Sequence, residues 1–180
     1  MKKIIIILLY LFCLASSVNA QNWLDSMKNL LASAKDDTTK FKLLSSLVLF
    51  YTYSIPDSAI TYVQKEMLLA RKMKSDFFLS AALIGYGSIL SVKGNYSQAI
   101  YFELEGLKVG ERSKNFNRIA WSYDYLTATY LDAGDYEHAL FYCNKEKSLL
   151  ESHYKLSPDS AEKIAIDIAY NSTMFGFAVV

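Results

Sequence analysis

Residues 94–100 read GNYSQAI, and residues 134–140 read GDYEHAL. Both run Gly, a small acid or amide, Tyr, two polar residues, Ala, then Ile or Leu. The step is forty residues, and it extends beyond these two copies. Forty residues before Ala99 stands Ala59, within DSAITY. Three stretches align without a gap: DSAITYVQKEMLLA (57–70), SQAIYFELEGLKVG (97–110) and EHALFYCNKEKSLL (137–150). Tyr62, Phe102 and Tyr142 each follow their alanine by three residues. A reactive site would gather functional groups around one copy. A recurrence carried through unreactive sequence marks an architectural period instead.

Each stretch predicts a helix. In the second, Ala99, Phe102, Leu104, Leu107 and Val109 form a broad apolar face at helical spacing. Gly94–Asn95 and Gly134–Asp135 supply the turns before the second and third copies. SIPD precedes the first, where Pro56 starts a helix at a position whose N–H has no intrahelical partner. Ahead of each copy lies another apolar run: FKLLSSLVLFYTY (41–53), SAALIGYGSILSV (80–92) and RIAWSYDYLTATYLDA (118–133). In the ungapped alignment Phe50, Leu90 and Tyr130 hold matching places, as do Leu43, Leu83 and Tyr123. The predicted unit is therefore two helices and a tight turn. Short links make each pair antiparallel, and stacking of pairs buries faces that one pair alone leaves bare. The fold class expected is all-α, an α-α superhelix with a period of forty residues.

The composition agrees with a helical core. Hydrophobic residues are 52% and charged ones 21%, which excludes a disordered chain. Two prolines and seven glycines argue against a turn-rich β fold. The net charge is +1, and becomes −1 without Lys2 and Lys3 (17 basic against 18 acidic), so no field attracts nucleic acid.

The chain opens MKKIIIILLYLFCLASSVNA. The apolar run from Ile4 to Ala15 would span about 18 Å as a helix, short of the roughly 30 Å hydrocarbon core. Val18 and Ala20 suit cleavage before Gln21, so residues 1–20 are expected to be a secretory signal and the mature protein periplasmic. The context YLFC disfavours lipidation of Cys13. Cys143 is then the remaining cysteine, and it forms no internal disulfide.

The domain expectation follows. A capping helix occupies 21–36, with Leu24, Met27, Leu30 and Leu31 on its apolar face. The array covers 37–173, with units at about 40–75, 80–115 and 120–155 and a partial unit at 159–173. An atypical tail, 174–180, closes the sequence and leaves the last unit open, which allows a homodimer through that end.

These residues resemble tetratricopeptide repeats, in which a small residue and an aromatic in the first helix pair with an alanine in the second. Gly87, Leu90, Gly94, Tyr96 and Ala99 carry the pattern, as do Leu126, Tyr130, Gly134, Tyr136 and Ala139. Thr127 and Leu47 take the small place in the third and first units, and Ala59 keeps the first in register. The long period and the signal resemble the exported N-terminal repeat region of Bacteroidetes-type sensor histidine kinases and regulators. The extra residues fall in ARKMKSDFF and GERSKNFNR, between units.

The resemblance implies protein recognition, with a peptide or helix held on a concave face lined by the first helix of each unit. It maps that lining onto Phe41, Leu44, Val48 and Tyr51, then Ala81, Ile84, Ser88, Ser91 and Val92, then Trp121, Asp124, Ala128, Leu131 and Asp132. Asp124 and Asp132 would favour a partner bearing Lys or Arg. The absence of basic residues from this set argues against a clamp for a peptide carboxylate. Ala59, Gly87, Gly94, Ala99, Tyr130, Gly134 and Ala139 are assigned to repeat packing.

Other chemistry is weakly signalled. His138 and His153 lie fifteen apart with no HExxH, paired cysteines or phosphate loop, so no metal or cofactor is expected. Cys143 reads as a partly buried small residue, and the fourteen tyrosines as mostly packing. The expected function is a non-catalytic protein-interaction module, as the sensory part of a signalling protein. The rivals are a spacer or oligomerisation scaffold with no ligand and, more remotely, a hydrolytic enzyme on a helical array.

Overall fold

The structure, a computed structural model, describes residues 22–154. The signal segment, the partial fourth unit, the tail and the open end expected to dimerise lie outside the described residues. Internal contacts divide the chain into two compact units, residues 1–43 and 44–180.

The first unit contains α1 (22–33) and the opening of α2 (Asp37–Ser54). Leu24 is buried and Met27 and Leu31 are half-buried, but Leu30 is exposed. The apolar face of α1 is thus narrower than expected. Asp36 caps α2: its Oδ1 accepts from the Thr39 backbone N–H at 2.8 Å.

The second unit takes up the rest of α2 and continues with α3 (Pro56–Lys72), α4 (Asp76–Val92), α5 (Tyr96–Ser113), α6 (Phe116–Asp132) and α7 (Tyr136–Tyr154). The array is the expected all-helical solenoid of antiparallel pairs, α2–α3, α4–α5 and α6–α7. Its spacing is set at the alanines. Ala59 and Ala99 are completely buried and Ala139 nearly so. Opposite Ala99 stands Gly87. A Cβ there would lie 2.5 Å from Glu103 Cγ and 2.9 Å from the Ala99 carbonyl oxygen, so the approach of α4 to α5 requires glycine.

Two kinds of turn punctuate the array. Within pairs, Gly94 and Gly134 adopt φ of 75° and 77°, which ends α4 and α6 at equivalent places. Between pairs, Lys74 and Lys114 take the left-handed conformation, each at φ 52°. Side-chain oxygens of Ser75, Asn115 and Asp135 accept from backbone N–H groups of Phe78, Arg118 and His138 to start α4, α6 and α7. The residues beyond a shorter repeat therefore lengthen helices rather than form a linker. α3 runs on to Lys72 and α4 starts at Asp76; α5 runs on to Ser113 and α6 starts at Phe116.

The ungapped alignment fails in α2. Tyr51 stacks on Tyr62 at 5.3 Å and 7°. The corresponding stack in the third pair joins Tyr130 to Tyr142 at 5.6 Å and 11°. Tyr62 and Tyr142 are eighty residues apart, whereas Tyr51 and Tyr130 are seventy-nine apart. Burial shows the same slip. Val48 is buried like Gly87, while Leu49 is exposed although Ile89 and Thr129 are buried. Val48, not Leu47, therefore holds the small place, and Tyr51, not Phe50, matches Leu90 and Tyr130. The cause is the turn. Ile55 alone separates α2 from α3, against three residues, Lys93–Asn95 and Ala133–Asp135, in the later pairs. With no glycine to stop it, α2 keeps its helical bond from Ile55 N–H to the Tyr51 carbonyl at 2.8 Å. One residue is about 100° of rotation, enough to turn a different face outward.

Candidate functional site

The first helices of the pairs present the face expected to meet a partner. The predicted lining divides sharply. Trp121, Leu131 and Val92 are exposed, as are Ala128 and Asp132; Ala81, Ser88 and Ser91 are half-buried. By contrast Phe41, Leu44, Val48 and Tyr51 are buried, so none of them lines an open surface. The one-residue slip of α2 explains this for Phe41, Val48 and Tyr51: its outward positions at this face are Leu49 and Tyr53, 44% and 56% exposed. Ile84 and Asp124 are also buried, because their register on α4 and α6 points toward the neighbouring second helix. The Ile84 side chain lies where Gly106 of α5 leaves room.

Two functional candidates were not legible from the repeat register, Arg118 and Tyr125. Both lie on α6, in a stripe of Arg118, Trp121, Tyr125, Ala128 and Asp132 at helical spacing. The Arg118 guanidinium sits over two rings, with Cζ 4.2 Å from the centre of Phe77 and 4.6 Å from that of Trp121. Its Nε is buried with no hydrogen-bond partner. Tyr125 is enclosed so that burial, with the negative charges of Tyr53, Asp124 and Glu103 adding to it, pushes its phenol up to about 12. Burial also raises Tyr53, and Asp132 reinforces the shift, which places the ends of α2 and α6 within electrostatic reach. A signal for the slip exists in sequence. SIPD lacks the glycine of KGN and AGD, and Tyr51 precedes its alanine by eight residues where Tyr130 does so by nine.

Behind this face lie three buried carboxyls, on the second helices. Burial drives Glu66 up to about 7, although the Ser45 hydroxyl hydrogen-bonds to it and Arg118 opposes the shift. Burial drives Glu103 up to about 8 against a 2.9 Å hydrogen bond from Thr129, with Asp132 adding to the rise. Burial drives Glu146 up to about 8, and Asp124 adds to it. One oxygen of Glu103 and one of Glu146 have no hydrogen-bond partner. All three are packed between helices, away from any open surface where a substrate could reach them, so their proton affinity bears on stability and not on turnover.

No group of three His, Cys, Asp or Glu among the described residues is placed to hold a metal ion. His138 is exposed, pairs with Asp135 at 2.8 Å and stacks on Tyr130. Cys143 is exposed, which corrects the expectation that it is partly buried. No described helix is long and apolar enough to cross a membrane. The arrangement is that of an all-helical repeat module. No curated protein matches the sequence. The sequence model of one family, described as the SusR N-terminal TPR domain, matches residues 18–171. The chain therefore belongs to that family of tetratricopeptide-repeat domains.

Proposed function

We propose that the chain recognises a peptide or helical protein segment on the face made by α2, α4 and α6. The observation that carries this is the row of exposed apolar groups on alternate helices: Leu49 and Tyr53 on α2, Val92 on α4, and Trp121 and Leu131 on α6. Large apolar side chains held in water on rigid helices are suited to burial by a partner, and aromatic anchors account for much of the affinity at such interfaces. The family description is of an N-terminal domain, and the resemblance to exported sensor regions supports reading the array as the input part of a signalling protein. The leader-like residues 1–20 support export, with the array acting in the periplasm.

A random-peptide display library selected on residues 21–180 tests the proposal. A single consensus is expected, and Trp121→Ala and Tyr53→Ala should each abolish its binding without lowering the melting temperature. Absence of any consensus, or capture unaffected by both variants, would leave the array as a spacer.

A further inference from the structure

We infer that Arg118 is a receptor for an acidic side chain of the bound segment, and that Asp132 selects a basic residue at the segment's other end. This rests on the recognition proposed above and assigns the partner's chemistry and its placement.

A guanidinium carries five N–H donors, and structural arginines ordinarily satisfy them with a carboxylate or carbonyl oxygens. Arg112 shows the ordinary case in this protein: it grips Asp76 through two bonds, at 3.0 and 3.1 Å. The Nε of Arg118, by contrast, is buried with no hydrogen-bond partner. The rings of Phe77 and Trp121 hold the cation in place but offer no carboxylate. Burial disfavours the charge it carries. The opposing influences, Tyr125 and Glu66, act on Arg118 through space, and the Glu66 carboxyl accepts a hydrogen bond from the Ser45 hydroxyl. The result is a fixed, half-desolvated cation beside the exposed face of Trp121. A partner's carboxylate would complete it with charge-assisted hydrogen bonds, and little side-chain entropy remains to be lost.

Arg118 and Asp132 are fourteen residues apart on one helix. That is nearly four turns, so both fall on the same side, about 21 Å apart along the axis. Between them lie Trp121, Tyr125 and Ala128. Asp132 is exposed and makes no ion pair with a described residue. The face is therefore apolar in the middle, cationic at one end and anionic at the other. The complementary occupant is an apolar protein segment with Asp or Glu at one end and Lys or Arg at the other.

The display selection supplies the test. Its consensus should contain an acidic position, and synthetic peptides with Glu or Gln there should differ about tenfold in affinity for the wild type. Trp121 fluorescence in a Trp23→Phe background reads the binding. Against Arg118→Gln the two peptides should bind alike, and against Arg118→Glu the preference should invert to Lys at that position. Asp132→Asn should likewise erase a preference for Lys over Gln at the far end. A consensus peptide that binds through Trp121 with no acidic requirement would leave recognition standing and overturn this inference. Equal Glu-to-Gln ratios for wild type and Arg118→Gln would make Arg118 only the distant counter-charge of Glu66, and would overturn it also. Absence of any consensus removes both readings. Concentration-dependent self-association lost in Trp121→Ala would assign the face to a second copy of the chain, against the inference.

Discussion

The α2–α3 pair and the two pairs after it are built from the same pattern, yet they expose different faces. In α4–α5 and α6–α7, a glycine at positive φ ends the first helix and a three-residue link follows. In α2–α3 the helix runs to Ser54 and a single residue precedes Pro56. The second helices keep the forty-residue step, but α2 is displaced by one residue within it. The lesson is that a repeat's period and the register of a face are separate properties. The alanines of the second helices set the first. The length of each turn sets the second.

The largest test of that difference uses adjacent residues of α2. The ungapped alignment pairs Val48 with half-buried Ser88 and Leu49 with buried Ile89. The structure reverses their environments: Val48 is buried and Leu49 is exposed. Val48→Asp should therefore cost at least about 3 kcal/mol, because it places an unpaired charge in the core. Leu49→Asp should stay within about 0.5 kcal/mol. Urea midpoints read both, and the opposite ranking would restore the unbroken register.

A second test sharpens the comparison at the small place. Val48 is accommodated in the first pair, whereas Gly87 meets the Ala99 backbone. Gly87→Val should cost about 3 kcal/mol by overpacking, since a carbonyl oxygen cannot swing aside as a side-chain end can. A loss well below 1 kcal/mol would show that α4 and α5 approach less closely than described.

The smallest effect separates the pairs by pH. The slot that Val63 fills in α3 is filled by Glu103 in α5, and both are fully buried. The folded state raises the Glu103 carboxyl from 4.5 to about 8, so it binds a proton that the unfolded chain has lost. Stability contributed by this proton is fully present below about pH 4.5 and declines as pH rises through about 8. Glu103→Gln cannot ionise. It should match the wild type near pH 4.5 and exceed it by a growing margin as pH rises to 8, read from thermal or urea midpoints. A constant difference across that range would mean that Glu103 is solvated when charged.

Much of the fold was legible because helices and their period depend on local sequence. The alanine series, the glycine turns and the apolar spacing locate α3 to α7, and they suffice for the family resemblance. The face was legible only in part. Trp121, Ala128, Leu131 and Asp132 are exposed on α6, which ends in the glycine turn that the repeat pattern assumes. Phe41, Val48 and Tyr51 are buried because the spacing from Tyr51 to Ala59 is one residue shorter than that from Tyr130 to Ala139, and Leu44 is buried as its equivalents Ile84 and Asp124 are. Cys143 was not legible for a different reason: the register places it on α7 but does not say how exposed that side of the helix is.

The sequence by itself determined that this chain is a helical array with a forty-residue step, since apolar periodicity and turn residues act within a few positions of one another. Only the tertiary structure decided which side of α2 faces out, which carboxyls are dehydrated, and that Arg118 rests on Phe77 and Trp121. Those properties depend on distances between helices far apart in sequence. There, one residue of turn length rotates a side chain by about 100°, from core to surface.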